Sequence, residues 1–165
     1  MAARLLSETL IGAIIGRLGK SAQAAVARAA ALCAQSGDAL TGMPLLVFAL
    51  LTEQQKPVGA YELIDTIARL VERPVRPPTV YRAIDTLLAR RLVARLASRN
   101  AFVACAHPGH SNDCVLLVCD RCGRAAELED GRLDRLILED ARKSGFEPRH
   151  RTLEVEGTCA SCRGA

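Results

Sequence analysis

Two Cys-x-x-Cys pairs, Cys119-Asp120-Arg121-Cys122 and Cys159-Ala160-Ser161-Cys162, bracket the last third of the chain. Four thiols at this spacing suit a tetrahedral structural zinc site. Each pair can grip one ion from a tight turn, and joining the turns closes a loop that a small domain cannot otherwise hold shut. One zinc per chain at Cys119, Cys122, Cys159 and Cys162 would then be part of the fold. The residues alone leave two other readings open: a pair of disulfides, which need an oxidising compartment, or a thioredoxin-like redox pair.

The 165 residues fit one ordinary domain or two small ones. Charge divides them. Residues 1–105 carry thirteen Lys/Arg against seven Asp/Glu, a net of +6, whereas residues 106–165 carry nine against eleven, a net of −2. The front part is the one suited to a polyanion, either nucleic acid or an anionic surface. With three Phe, two Tyr and no Trp, the core must come from Leu, Val, Ile and Ala, which favours helix-rich packing. Seven cysteines, an odd number, fit a reducing cytoplasm better than export. The apolar run from Leu10 to Ile15 is far shorter than the ~20 residues that span a bilayer, and no small-residue cleavage pattern follows it. It reads as an amphipathic or frayed extension, so the expectation is a cytoplasmic protein with no membrane partner.

Residues 21–35 are strongly helix-forming, with Ser21 placed to cap and Gly37 to stop. After Thr41-Gly42, the nearly continuous apolar stretch from Met43 to Thr52 predicts a buried central helix. Ala60 to Val71 places Leu63, Ile64, Ile67, Ala68 and Val71 at helical spacing. Arg76-Pro77-Pro78-Thr79 opens a fourth helix, with Ile84, Leu87 and Leu88 as its buried stripe. Leu92–Leu96 and Ala101–Ala104, around Ser98-Arg99-Asn100, predict a β-hairpin. Helices followed by a hairpin is the order of a winged helix-turn-helix, in which the helix before the hairpin enters the major groove. Residues 106–113 are rich in turn formers and read as a hinge. Beyond it come strands at Val115–Val118, Ala125–Leu128 and Arg149–Glu156, and a helix over Asp130–Ser144 with Leu133, Leu136, Ile137 and Ala141 inward. The fold class is mixed α/β (α+β): a winged-helix DNA-binding domain over 1–105, a hinge over 106–113, and a small zinc-stapled dimerisation domain over 114–165. About 50 residues is a size that needs a metal or a partner subunit.

Pro77-Pro78-Thr79-Val80-Tyr81-Arg82-Ala83-Ile84, then the hairpin, then Cys-Asp-Arg-Cys-Gly, resembles the ferric uptake regulator superfamily, and most of all its zinc uptake regulator branch, from about Ala29 to Cys162. The resemblance implies that Thr79, Tyr81 and Arg82 open the DNA-recognition helix and that Tyr61 also approaches DNA. Physical chemistry agrees: Tyr81 and Arg82 near a helix start can reach base edges or phosphates, while Arg73, Arg76, Arg90, Arg91, Arg95 and Arg99 offer a cationic rim. For the scattered arginines, a merely solvated basic face is the alternative. The four knuckle cysteines match the family's structural zinc ligands.

In zinc-sensing relatives the regulatory metal is held by a His after the recognition helix, a Cys ending the wing, a His in the hinge and a Glu past the first knuckle. Here the Cys matches Cys105 and the Glu matches Glu127, but the two His positions fall on Ala94 and Asn112. The hinge offers His107, His110 and Cys114 instead, and with Cys105 and Glu127 these suit a second, regulatory zinc. The alternative is a degenerate site. His150 and Cys33 read as a structural or interface residue and a small core residue. Gly42-Met43-Pro44 replaces a Pro-Gln-Arg turn that many relatives carry. The expected function is a zinc-responsive transcriptional repressor of metal-uptake genes, a homodimer on a palindromic double-stranded DNA operator, and not an enzyme. Two rivals remain: a thiol-redox sensor through Cys105 and Cys114, and a zinc-ribbon oxidoreductase or zinc carrier, for which the sequence offers no general base near the pairs.

Overall fold

The computed structural model describes residues 7–105, 113–128, 130–148 and 151–164, and the chain divides into two compact units, Met1–Gly109 and His110–Ala165. In the first unit, Ser7 caps helix α1 (Glu8–Ile15) by accepting the Leu10 N–H. Ile11 and Ile14 bury in the same core as the central helix, so the apolar run is an amphipathic, docked helix. Helix α2 (Lys20–Gln35) begins two residues earlier than the Ser21 cap predicts. Its N-cap is Gly19, and Glu53 from the central helix accepts the Gly19 N–H at 3.0 Å, so a tertiary acceptor replaces the local one. Gly37 ends α2 with φ +73°; Gly37 N–H reaches Ala34 O and Asp38 N–H reaches Cys33 O, the paired closure that a left-handed residue permits.

Helix α3 (Gly42–Gln54) buries every residue from Leu46 to Leu51, which places it inside the unit with neighbours on all sides. A two-residue strand β1 (Val58–Gly59) leads into helix α4 (Ala60–Leu70), which buries Leu63, Ile64 and Ile67. Helix α5 (Pro77–Ala89) starts on Pro77 and Pro78, where a missing N–H costs no helical bond, and buries Val80, Ala83, Ile84 and Leu87. Strands β2 (Val93–Leu96) and β3 (Ala101–Ala104) form the expected hairpin. Asn100, at φ +46°, makes the turn. Strand β1 adds to the other edge of β3, giving the order β1-β3-β2, so the wing sheet has one strand more than the pattern predicts.

The second unit contains β4 (Asp113–Cys119), β5 (Ala125–Leu128), helix α6 (Gly131–Lys143), β6 (Arg151–Gly157) and a short helix α7 (Ala160–Arg163). The sheet order is β5-β4-β6, with β4 antiparallel to β5 and parallel to β6. Asp130 caps α6, its carboxylate accepting Arg132 N–H at 2.9 Å. The expected inward face of α6 differs from what is found. Leu136 is 55% exposed, and Leu133, Ile137 and Ala141 are only half-buried, so the described residues leave the stripe partly open. Leu117, Leu128, Leu153, Val155 and Phe146 are exposed too, which leaves this unit with several apolar side chains facing outward.

Candidate metal centre and nucleic-acid interface

Register brings the two cysteine pairs together. Cys119 ends β4 and pairs with Gly157, which ends the parallel strand β6, so Cys159 follows two residues beyond the same end of the sheet. The first knuckle turns back through Gly123, whose φ of +73° favours glycine; Gly123 N–H donates to Cys119 O and Cys119 N–H to Arg124 O. The second knuckle is the start of α7, with Cys159 at its N-cap. The result is four sulfurs all within 4.8 Å of one another, with Cys122 Sγ and Cys159 Sγ 3.8 Å apart. A tetrahedral zinc with Zn–S bonds of about 2.3 Å requires sulfur–sulfur edges of about 3.8 Å, so the donor set fits this ion in chemistry and size. The six cysteines whose side chains are described are all free thiols.

The thiols are not equivalent. Backbone N–H groups, first that of Cys159 at 3.4 Å and then that of Cys122, point at Cys119 Sγ and bring its pKa down to about 6. Hydrogen bonding with the Cys159 and Cys122 sulfurs pushes Cys162 up to about 12. Ionisation is therefore favoured first at Cys119 and last at Cys162, and a bound cation would favour the thiolate at both. Residues between the cysteines add ties that the spacing does not reveal. Arg121 Nη1 donates to Cys162 O at 2.8 Å, Asp120 N–H to Gly157 O at 2.9 Å, and Thr158 Oγ1 to Asp120 Oδ1 at 3.2 Å. An Arg inside one pair and a Thr just before the other were the only signals.

In the first unit the buried stripe of α5 leaves Thr79, Tyr81 and Arg82 exposed on its opening turns, with Arg76 exposed at the N-cap. Tyr61, in the first turn of α4, is 71% exposed. Exposed aromatic and guanidinium groups at helix starts are free to meet base edges or phosphates. Arg90 does not belong with them. Its side chain is 21% exposed, its Nη2 lies 2.6 Å from Asp38 Oδ1, and its Nη1 donates to Ala39 O, so it fastens the end of α5 to the α2–α3 loop. Arg95 donates to Asn100 Oδ1 within the hairpin.

No family model matches the chain. The zinc uptake regulation protein of Escherichia coli (strain K12) is 36% identical over 143 residues, covering 85% of this chain and 82% of that protein. The chain belongs to the zinc uptake regulators. Among solved structures, a zinc uptake regulator complexed with zinc and DNA superposes with a TM-score of 0.81 at 33% identity, covering 88% of this chain and 97% of that one. Holo XcZur superposes at 0.78 with 42% identity, over 85% and 97% of the two chains.

Ala94, at the first expected His position, is buried in β2 opposite Val103. Cys105 is half-buried, and its N–H closes the end of the hairpin on Leu92 O at 2.9 Å. Glu127 is half-buried in β5, level with Leu116 and Glu154 across the sheet. Cys114 lies in β4 beside Thr152, and nothing further of its side chain is described. His107, His110, Asn112 and His150 lie outside the described residues. Among the described residues no helix is long and apolar enough to cross a membrane.

Proposed function

We propose that this chain is a zinc-responsive, DNA-binding transcriptional repressor of metal-uptake genes, working in the cytoplasm as a homodimer on a palindromic duplex, and that it is not an enzyme. The observation that carries the reading is the exposure of Thr79, Tyr81 and Arg82 together at the start of a helix whose opposite face is buried in the core of the first unit. In this reading Tyr81 and Arg82 contact the major groove, Tyr61 and Arg76 the flanking backbone, and two copies engage two half-sites. The apolar side chains left outward on the second unit support a partner copy there. Cys119, Cys122, Cys159 and Cys162 hold one structural ion, and when bound it supplies a redox-inert cross-link between the knuckles. Cys105, His107, His110, Cys114 and Glu127 furnish the ligands of a second, exchangeable zinc in place of the missing histidines at 94 and 112.

The test starts with zinc content per chain in purified protein at a fixed low free zinc concentration. Two ions, one removed by mild chelation, is the expected result, whereas a single resistant ion excludes the rebuilt sensing site. Duplexes selected from a random pool by the zinc-loaded protein then serve as the DNA probe. Enrichment of a palindrome is expected, and failure to enrich any duplex would overturn the assignment as a regulator.

A further inference from the structure

The four-sulfur cluster is held from outside as well as from within. Cys162 is the last of the thiols, on a four-residue helix whose terminal carbonyls have no partners inside the helix. One of these, the carbonyl of Cys162 itself, accepts the Arg121 guanidinium from the opposite knuckle at 2.8 Å. Arg121 in turn sits on a turn pinned to the second knuckle by Asp120 N–H on Gly157 O and by Thr158 Oγ1 on Asp120 Oδ1. These bonds cross between two segments about 40 residues apart without passing through sulfur. They also place a fixed positive charge at the rim of a site whose four thiolates and one divalent ion sum to −2.

We infer that Arg121, supported by the Asp120–Thr158 pair, is a positioning residue of the metal centre: it clasps the two knuckles through the Cys162 carbonyl and sets how slowly zinc leaves. The inference rests on the reading of the four cysteines as a zinc site. Partners outside the ligand shell orient ligands and govern metal retention, and their loss typically costs about 10–100-fold in affinity. The Cys162 N–H bond to Cys159 O stays within its own knuckle, whereas Arg121 holds the Cys162 backbone from across the site. Loss of the clasp leaves four ligands of unchanged identity on two loops freer to part.

The experiment follows zinc transfer from the purified full chain to a chromophoric chelator, with zinc per chain and the cobalt-substituted absorption spectrum as companion readings. Arg121→Met keeps bulk and removes both donor and charge. It should still bind one structural zinc and give tetrahedral thiolate cobalt bands, but lose zinc about 10–100-fold faster than the parent. Arg121→Lys, which restores charge and a single donor, should recover part of the difference. A transfer rate for Arg121→Met within twofold of the parent overturns the inference. Where Arg121→Met does not fold, Thr158→Val decides: it should release zinc several-fold faster, and a parental rate counts against the clasp. If the parent protein itself holds no zinc, the zinc reading fails, whatever the variants do.

Discussion

Arg82 and Arg90 lie two turns apart on one helix, yet they face different tasks. Arg82 is exposed on the opening turns of α5, whereas Arg90 is spent at the other end on Asp38 and Ala39. Arg82→Ala should weaken binding to the selected duplex by about 1–3 kcal/mol if the guanidinium reads a base. If it binds a phosphate instead, the variant lowers the salt slope by about 1. Arg90→Ala should leave the salt slope unchanged. Because Asp38 is 67% exposed, the lost ion pair should cost no more than about 1 kcal/mol of stability. Titrating both variants across a salt series separates the roles. An Arg90 variant with a reduced slope would return this residue to the DNA-binding rim, and an Arg82 variant with parental affinity and slope would remove Arg82 from the reading surface.

At the scale of elements, the two knuckles act as one titrating unit. The Cys119 pKa is depressed to about 6 from the usual 9.0, so between these values it is a thiolate where an ordinary thiol is still protonated, and the thiolate is lost as pH falls through 6. At pH 7.5, zinc binding to the apo protein should therefore release fewer than four protons, with the number rising toward four as pH is lowered below 6. Calorimetry in buffers of different ionisation enthalpy counts them, and four protons at pH 7.5 would mean that Cys119 is not ionised in advance. The knuckles were legible because Cys-x-x-Cys spacing is local chemistry, as was α5, which begins on two prolines. The Arg121–Cys162 bond was not, since its partners are 41 residues apart and only the parallel register of β4 and β6 joins them. Strand β1 has two residues and α7 has four, too few to show a period of two or of 3.6. Leu136 shows the opposite failure: the helical stripe of α6 is real, but periodicity tells which residues share a face and not whether the same chain covers that face.

For the whole molecule, the proposed function joins two binding events, a chelatable zinc on residues 105–127 and a duplex on α5, within one chain. Zinc can control DNA binding only through a difference in its affinity for the DNA-competent and other states of the dimer, and such a coupling is reciprocal. Whatever factor zinc contributes to duplex affinity, the duplex must contribute to the affinity of that zinc, and couplings of this kind typically run about 5–150-fold. The structural ion stands outside this cycle because both states contain it. The chelatable zinc should therefore bind more tightly to protein saturated with the selected duplex, by the same ratio in which it improves duplex affinity. The two ratios can be measured independently, one by chelator competition with and without DNA and the other by duplex titration with and without exchangeable zinc. Two ratios equal to one would show that this member of the family binds DNA without regard to the second zinc. Unequal ratios would show that a further equilibrium, such as dimer dissociation, enters the cycle, and repeating both titrations at a higher protein concentration would then bring the ratios together.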